Sequence, residues 1–293
     1  MFYIRDIIPW VIIMDGWILV NKPVGMSSYD VVSQMKKIFD TRKVGHCGTL
    51  DPFAAGLLAI TLNNATKISQ YLEGEVKTYE ATLELGKKTD TGDKTGKVVA
   101  EKEVPELSKE LIESAFSTFL GEQKQVPPMY SAIKVSGQPL YKMARSGQEV
   151  ARKPRVIKII ELSLLDFNKT TITFRVQCSK GTYIRTLGED IAIKLGTVGN
   201  LVALTRTGIG HFTLAESHEL NSITNQTPLL SIRDALADLP KLEVNLIVAK
   251  KAGFGQQLRL DTDENMVVVA FQNEFIAIYE KEGDYYLCRR GLK

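Results

Sequence analysis

The chain has 293 residues, 44% of them apolar and 24% charged, and a net charge of +3. That length carries one large domain plus a small one, and the composition is ordinary for a soluble globular protein rather than a disordered or fibrous one. The small net charge does not announce a polyanion partner, but its distribution is uneven. Residues 121–160 hold eight Lys/Arg against two Glu, a cationic patch of the kind a nucleic acid requires.

Met1 to Met14 is apolar but too short to span a bilayer, and it carries Arg5, Asp6 and Pro9 with no small-residue cleavage site behind it. Residues 1–14 therefore read as an extension, either ahead of a translation start at Met14 or as an extra strand. Trp17-Ile18-Leu19-Val20 predicts a short buried strand. Ser27 or Ser28 can cap the helix that follows, which places Val31, Val32, Met35, Ile38 and Phe39 on one face. Next comes Gly45-His46-Cys47-Gly48-Thr49-Leu50-Asp51-Pro52-Phe53-Ala54-Ala55-Gly56, a glycine-punctuated loop between two apolar segments. Pro52 biases Asp51 towards an extended backbone. The carboxylate is expected to project from a strand-to-helix turn, with Ala55 to Leu58 opening the helix. Taken alone, an Asp-Pro pair more often opens a surface turn.

Ala65 to Leu72 predicts a helix closed by Gly74. Tyr79 to Leu85 alternates strictly and puts Tyr79, Ala81, Leu83 and Leu85 on one sheet face. Ser108 caps a helix with Leu111, Ile112, Ala115, Phe116 and Phe119 inward. Ile172 to Cys178 is a second alternating strand, and Thr186 to Leu195 a helix ending at Gly196. Strands and helices mix without Rossmann regularity and without a GxGxxG, which favours an α+β fold on a mixed, largely antiparallel sheet. A polar linker, Asn221 to Thr227, and a helix, Leu229 to Ala237, close residues 15–240. Residues 241–293 read as a small all-β domain with strands at Gln256–Leu260, Met266–Phe271, Phe275–Tyr279 and Tyr285–Arg289. Cys47, Cys178 and Cys288 form neither a disulfide framework nor a zinc site, and His46, His211 and His218 form no ligand cluster. We expect a reducing compartment and no metal.

Gly-His-x-Gly-Thr-Leu-Asp-Pro followed by Ala-x-Gly resembles the signature of the TruB-type tRNA pseudouridine synthases. Asn21-Lys22-Pro23-Val24-Gly25-Met26-Ser27-Ser28, Lys77-Thr78-Tyr79-Glu80-Ala81 and Ser179-Lys180-Gly181-Thr182-Tyr183-Ile184-Arg185-Thr186 match further family motifs in the same order. The resemblance runs from about Trp17 to Leu220. It implies a pseudouridine-synthase core acting on uridine 55 in the T-arm of tRNA, with Asp51 as the nucleophile. Arg185 is then the cation that keeps Asp51 ionised, and Tyr79 the platform for a flipped uracil. Tyr183 and Leu204 become contacts of the uracil pocket. His46 fills the place of the flipped base or binds a phosphate, and Lys22 and Lys67 give supporting electrostatics. The basic segment becomes a thumb-like insertion, about residues 123–155, gripping the RNA hairpin, and residues 241–293 a reduced PUA-type RNA-binding barrel.

No cofactor is implied, because the isomerisation balances without one. The enzyme is expected to be a cytoplasmic monomer that binds tRNA and no membrane. Cys47 and Ala55 stand where the family commonly has Thr. A non-catalytic RNA-binding protein would also use the basic segment, but it would not need a nucleophilic carboxylate. A glycosidase would need a second carboxylate at a motif position.

Overall fold

The structure is a computed structural model that describes residues 15–74, 76–135 and 137–292. The extension read at residues 1–14 lies outside the described residues. The described residues form an α+β fold around a ten-stranded mixed sheet. Along its main path the strands run His218–Glu219, Gly16–Lys22, Ala55–Leu62, Gly199–Ile209, Lys77–Leu85, Thr171–Cys178, Arg155–Phe167 and Gly121–Gln125. Pairing is antiparallel except between Gly16–Lys22 and His218–Glu219, and between Ala55–Leu62 and Gly199–Ile209.

Both faces of this sheet are covered at the strands Gly16–Lys22 and Ala55–Leu62. One face buries Ile18, Val20, Leu58, Ile60, Leu62, Ala81 and Leu83 against the helices Ser28–Ile38, Lys109–Ser117 and Ile184–Lys194. The other buries Trp17, Leu19, Leu57 and Ala59 together with Val268 and Ile278 of the C-terminal sheet and Leu292 just beyond its last strand. A strand apolar on both sides loses its period-two signature. Ala55 to Leu58 is therefore not a helical turn but the start of the strand Ala55–Leu62. Asp51 projects from a strand-to-strand loop, since Val44–Cys47 pairs antiparallel with that same strand.

Several other expectations shift. Leu111 is 43% exposed, because it lies a hundred degrees around the helix from the stripe of Ile112, Ala115 and Phe116. The helix expected over Leu229–Ala237 shrinks to Ile232–Ala235, since Leu230 pairs with the main chain of Trp17 and Ser231 then caps what remains. The C-terminal region is not all-β. Its sheet of Lys241–Glu243, Met266–Phe271, Glu274–Glu282 and Tyr285–Gly291 carries a helix, Leu246–Gly253, capped by Asn245. Gln256–Leu260 is not a strand: only Leu258 bridges to Tyr286, and the Tyr279 hydroxyl takes the Gln256 carbonyl instead.

Gly56 sits where the parallel strands meet, at φ +105°, with its α-carbon against the Arg206 backbone. A Cβ there would lie 2.4 Å from the Arg206 carbonyl oxygen. Neither main chain can yield without breaking the pairing. Gly56→Ala is expected to lose about 2–4 kcal/mol, combining overpacking with left-handed strain. Urea unfolding of the variant at constant m-value checks it.

Candidate active site

The Asp51 loop is held from three directions. Gly48, at φ +84°, turns the chain out of the Val44–Cys47 strand. The Ser28 hydroxyl, at the first turn of its helix, accepts from the Leu50 N–H at 2.9 Å, and Gly25 N–H donates to the Pro52 carbonyl at 2.7 Å. Lys22 is fully buried, and its Nζ donates to the carbonyls of Ala54 (2.5 Å), Met26 (2.7 Å) and Pro23 (2.9 Å). Burial lowers this ammonium to about 8, with Asp51 pulling the other way. The Asn21–Ser28 motif thus works as a brace that ties the Asp51 loop to the first strand and helix.

Arg185 is the second residue of the helix Ile184–Lys194 and is 4% exposed. Its Nε meets Asp51 Oδ2 at 2.8 Å and its Nη2 meets Oδ1 at 3.2 Å, a side-on bidentate pair. The remaining donors reach the carbonyls of Thr91 (2.7 Å) and Tyr130 (2.8 Å), and Asp93 lies 3.9 Å from Nη1. The guanidinium therefore joins three separate segments. Asp51 keeps a third of its side chain open to the cavity, while the rest is enclosed by protein. Burial raises its carboxyl above the ordinary aspartate value, opposed by Arg185, reinforced by Asp93 and opposed again by Lys22.

A cavity of about 510 Å³ opens above this pair, a size that admits a nucleotide. Asp51, Arg185, Tyr79, Tyr183 and Leu204 all line it, so five of the residues expected at the site come together. Burial pushes the Tyr79 phenol up, with the Arg206 guanidinium beside it pulling down. The Tyr183 phenol is raised in the same way and has the Ser131 hydroxyl next to it. His46, Lys22 and Lys67 are not among the lining residues. His46 faces Ile60 in the strand pairing, Lys67 lies on the short 3₁₀ helix Asn63–Ile68, and Lys22 sits behind the loop.

Sequence reasoning missed three residues that complete the site. Arg206 is 1% exposed, lines the cavity and donates to the carbonyls of Leu57 (2.7 Å) and Gly48 (3.0 Å). A signal for it existed, since it stands two residues beyond Leu204 on one strand and so shares its face. Asp93 lies in the turn-rich run Thr89–Gly96, which reads as solvated, yet it is 5% exposed and accepts from Thr95 N–H at 2.9 Å. Lys77 also lines the cavity, from the first position of the Tyr79 strand.

The family described as "TruB family pseudouridylate synthase (N terminal domain)" matches residues 36–184, half of the chain. A protein named tRNA pseudouridine synthase B from Hydrogenovibrio crunogenus is 44% identical over 280 residues, covering 94% of this chain and 92% of that one. One of the same name from Francisella tularensis subsp. tularensis is 47% identical over 231 residues, covering 78% and 75%. Among solved structures, a Cbf5-Nop10-Gar1 complex superposes with TM-score 0.74 at 23% identity, over 96% of this chain and 86% of that one. An H/ACA RNP bound to a substrate RNA containing 2'-deoxyuridine gives TM-score 0.72 at 22% identity, over 96% and 86%. These last two likenesses speak for the fold. With half the chain matched by the family and relatives this similar along most of it, the chain belongs to the TruB family of pseudouridylate synthases.

Proposed function

We propose that this chain isomerises uridine 55 in the T-loop of tRNA to pseudouridine, with Asp51 as nucleophile acting on a nucleotide turned out of the RNA. Pseudouridine synthesis in tRNA is the activity named for its relatives at 44–47% identity. The observation that carries the finer reading is the bidentate Asp51–Arg185 pair at the wall of a nucleotide-sized cavity that two tyrosines share.

The reaction breaks the bond from ribose C1′ to uracil N1 and forms one from C1′ to C5. N1 gains a proton and C5 loses one, so atoms and electrons balance within the nucleotide and solvent. Asp51 supplies the electron pair, at C1′ or at C6 of the base. Arg185 keeps that carboxylate ionised and aimed. Tyr79 offers a face for the unstacked base, Leu204 an apolar wall, and Tyr183 a second contact at the opening. The insertion at about residues 123–155 grips the T-arm through its cations, and residues 241–293 add a small PUA-like surface for RNA to the catalytic part, residues 15–240. The enzyme works as a cytoplasmic monomer. No helix among the described residues is long and apolar enough to cross a membrane.

Tritium release from tRNA labelled at uridine C5, followed by reverse-transcription mapping of the product, tests the reading. One release event per tRNA and a single stop at position 55 are expected. Release without that stop would place the target elsewhere.

The pH profile follows from Asp51. Only the ionised carboxylate is a nucleophile, and burial raises its pKa above the ordinary 3.8. The acid limb of kcat/KM is expected to fall at a pH above 3.8, as read from rates on a T-arm stem-loop across the acid range. A limb at or below that value would contradict the assignment.

A further inference from the structure

Gln125 ends the strand Gly121–Gln125 at the edge of the large sheet, and the run of the basic insertion continues from it. A glutamine at such a place is ordinarily solvated, but this one is 5% exposed. Its carboxamide closes a two-bond ring with the main chain of Tyr183. Nε2 donates to the Tyr183 carbonyl at 3.0 Å, and Oε1 accepts from the Tyr183 N–H at 2.8 Å.

Tyr183 is the residue from which the helix Ile184–Lys194 starts. It is extended, at φ −96° and ψ 108°, and its own side chain makes no cap. A helix start without a side-chain cap has its direction set by whatever holds the preceding peptide. Here that is Gln125. Two residues on, Arg185 offers its guanidinium to Asp51, and its Nη2 also donates to the Tyr130 carbonyl, five residues downstream of Gln125. One stretch of chain thus grips the main chain at 183 and the guanidinium at 185. That stretch is also the root of the cationic insertion.

We propose that Gln125 is a positioning residue for the isomerisation: its carboxamide locks Tyr183 and thereby holds the Arg185 guanidinium side-on to the Asp51 carboxylate. The inference rests on the reading of Asp51 and Arg185 given above. It ties RNA seating to chemistry, because the element that carries the insertion also sets the arginine. A displacement of about 1 Å at a catalytic contact can lower a rate by about 10²-fold, and Gln125 acts over just such a lever.

The test is steady-state kinetics and a pH profile on a T-arm stem-loop for Gln125→Met and Gln125→Glu, with Asp51→Asn alongside and thermal unfolding of each protein. Gln125 is not among the cavity-lining residues, so KM is expected to stay within about twofold while kcat falls about 30- to 100-fold. The acid limb of kcat/KM should move to higher pH. Arg185 opposes the effect of burial on Asp51, whereas Asp93, which raises it, and Lys22, which lowers it, stay in place. Gln125→Glu still accepts from the Tyr183 N–H, but its second oxygen faces the Tyr183 carbonyl and repels it, so kcat should fall there too with KM held within about twofold. Should Gln125→Met fail to fold, Gln125→Glu carries the comparison alone.

A parental kcat and limb overturn the proposal. So does an activity loss that follows the folded fraction with the limb unmoved. Turnover by Asp51→Asn would instead fault the reading of the site. An inert Asp51→Asn beside Gln125 variants that behave like the parent would sink the role of Gln125 alone.

Discussion

Asp51→Asn is expected to abolish tritium release, by at least about four orders of magnitude in kcat, while leaving tRNA affinity within a few-fold. The amide keeps the shape of the carboxylate but is uncharged and a far weaker nucleophile. It also removes a charge that the fold disfavours, and the sign of the stability change follows. The folded-state pKa of Asp51 is raised, so the folded protein holds this proton more tightly than the unfolded chain. The stability it contributes is complete below the unfolded pKa and declines as pH rises through the folded one. At neutral pH the asparagine variant should therefore melt no lower than the parent, with Arg185 still held by the Thr91 and Tyr130 carbonyls and by Asp93. Filter binding, release assays and calorimetry check the three parts. Residual turnover within tenfold of the parent would remove Asp51 from the nucleophile's role.

Arg185→Met is the second large effect, and it strikes both rate and fold. Breaking a buried ion pair from one side costs about 3–5 kcal/mol. The third of the Asp51 side chain that faces the cavity can be solvated, which reduces the expected loss to about 2–4 kcal/mol. Without its cation the carboxylate pKa rises further, so kcat should fall about 10²- to 10³-fold at neutral pH and recover partly as pH increases. Arg185→Lys separates charge from geometry. An ammonium is a single point of charge and cannot meet both carboxylate oxygens together with two carbonyls, so most of the rate loss should persist while the stability loss shrinks. In the Asp51→Asn background the destabilisation by Arg185→Met should also diminish, because no carboxylate is left unpaired. Urea unfolding of the four proteins in this cycle measures the coupling, and strict additivity would deny that the pair interacts.

The local signals that were legible are those a few neighbouring residues can carry. Ser27 and Asp30 form the capping box of the first helix, and the alternation from Tyr79 to Leu85 marks a strand with one buried face. The Gly45–Gly56 run singles out Asp51 because glycine and proline constrain the backbone within a residue or two of themselves. Asp51, Tyr79, Tyr183, Arg185 and Leu204 were named by the resemblance of their motifs to a known family, and the fold brings all five to the wall of one cavity. Other features depend on what packs against them. Ala55–Leu62 is a strand because both of its faces are covered, by helices on one side and the C-terminal sheet on the other, which erases any period from its sequence. Lys22 reads as a charge for the substrate, yet tertiary contact with Ala54, Met26 and Pro23 turns it into a brace. Asp93, Gln125 and Arg206 stand in turns or strands where a polar residue is expected to meet water. Only the folded chain brings 134 residues of separation down to the 2.8 Å between Arg185 and Asp51 and closes solvent away from the groups around it. A sequence states which backbone angles and which apolar faces are available. Which polar groups lose their water is decided by the elements that cover them, and that desolvation sets the charge and aim of this site.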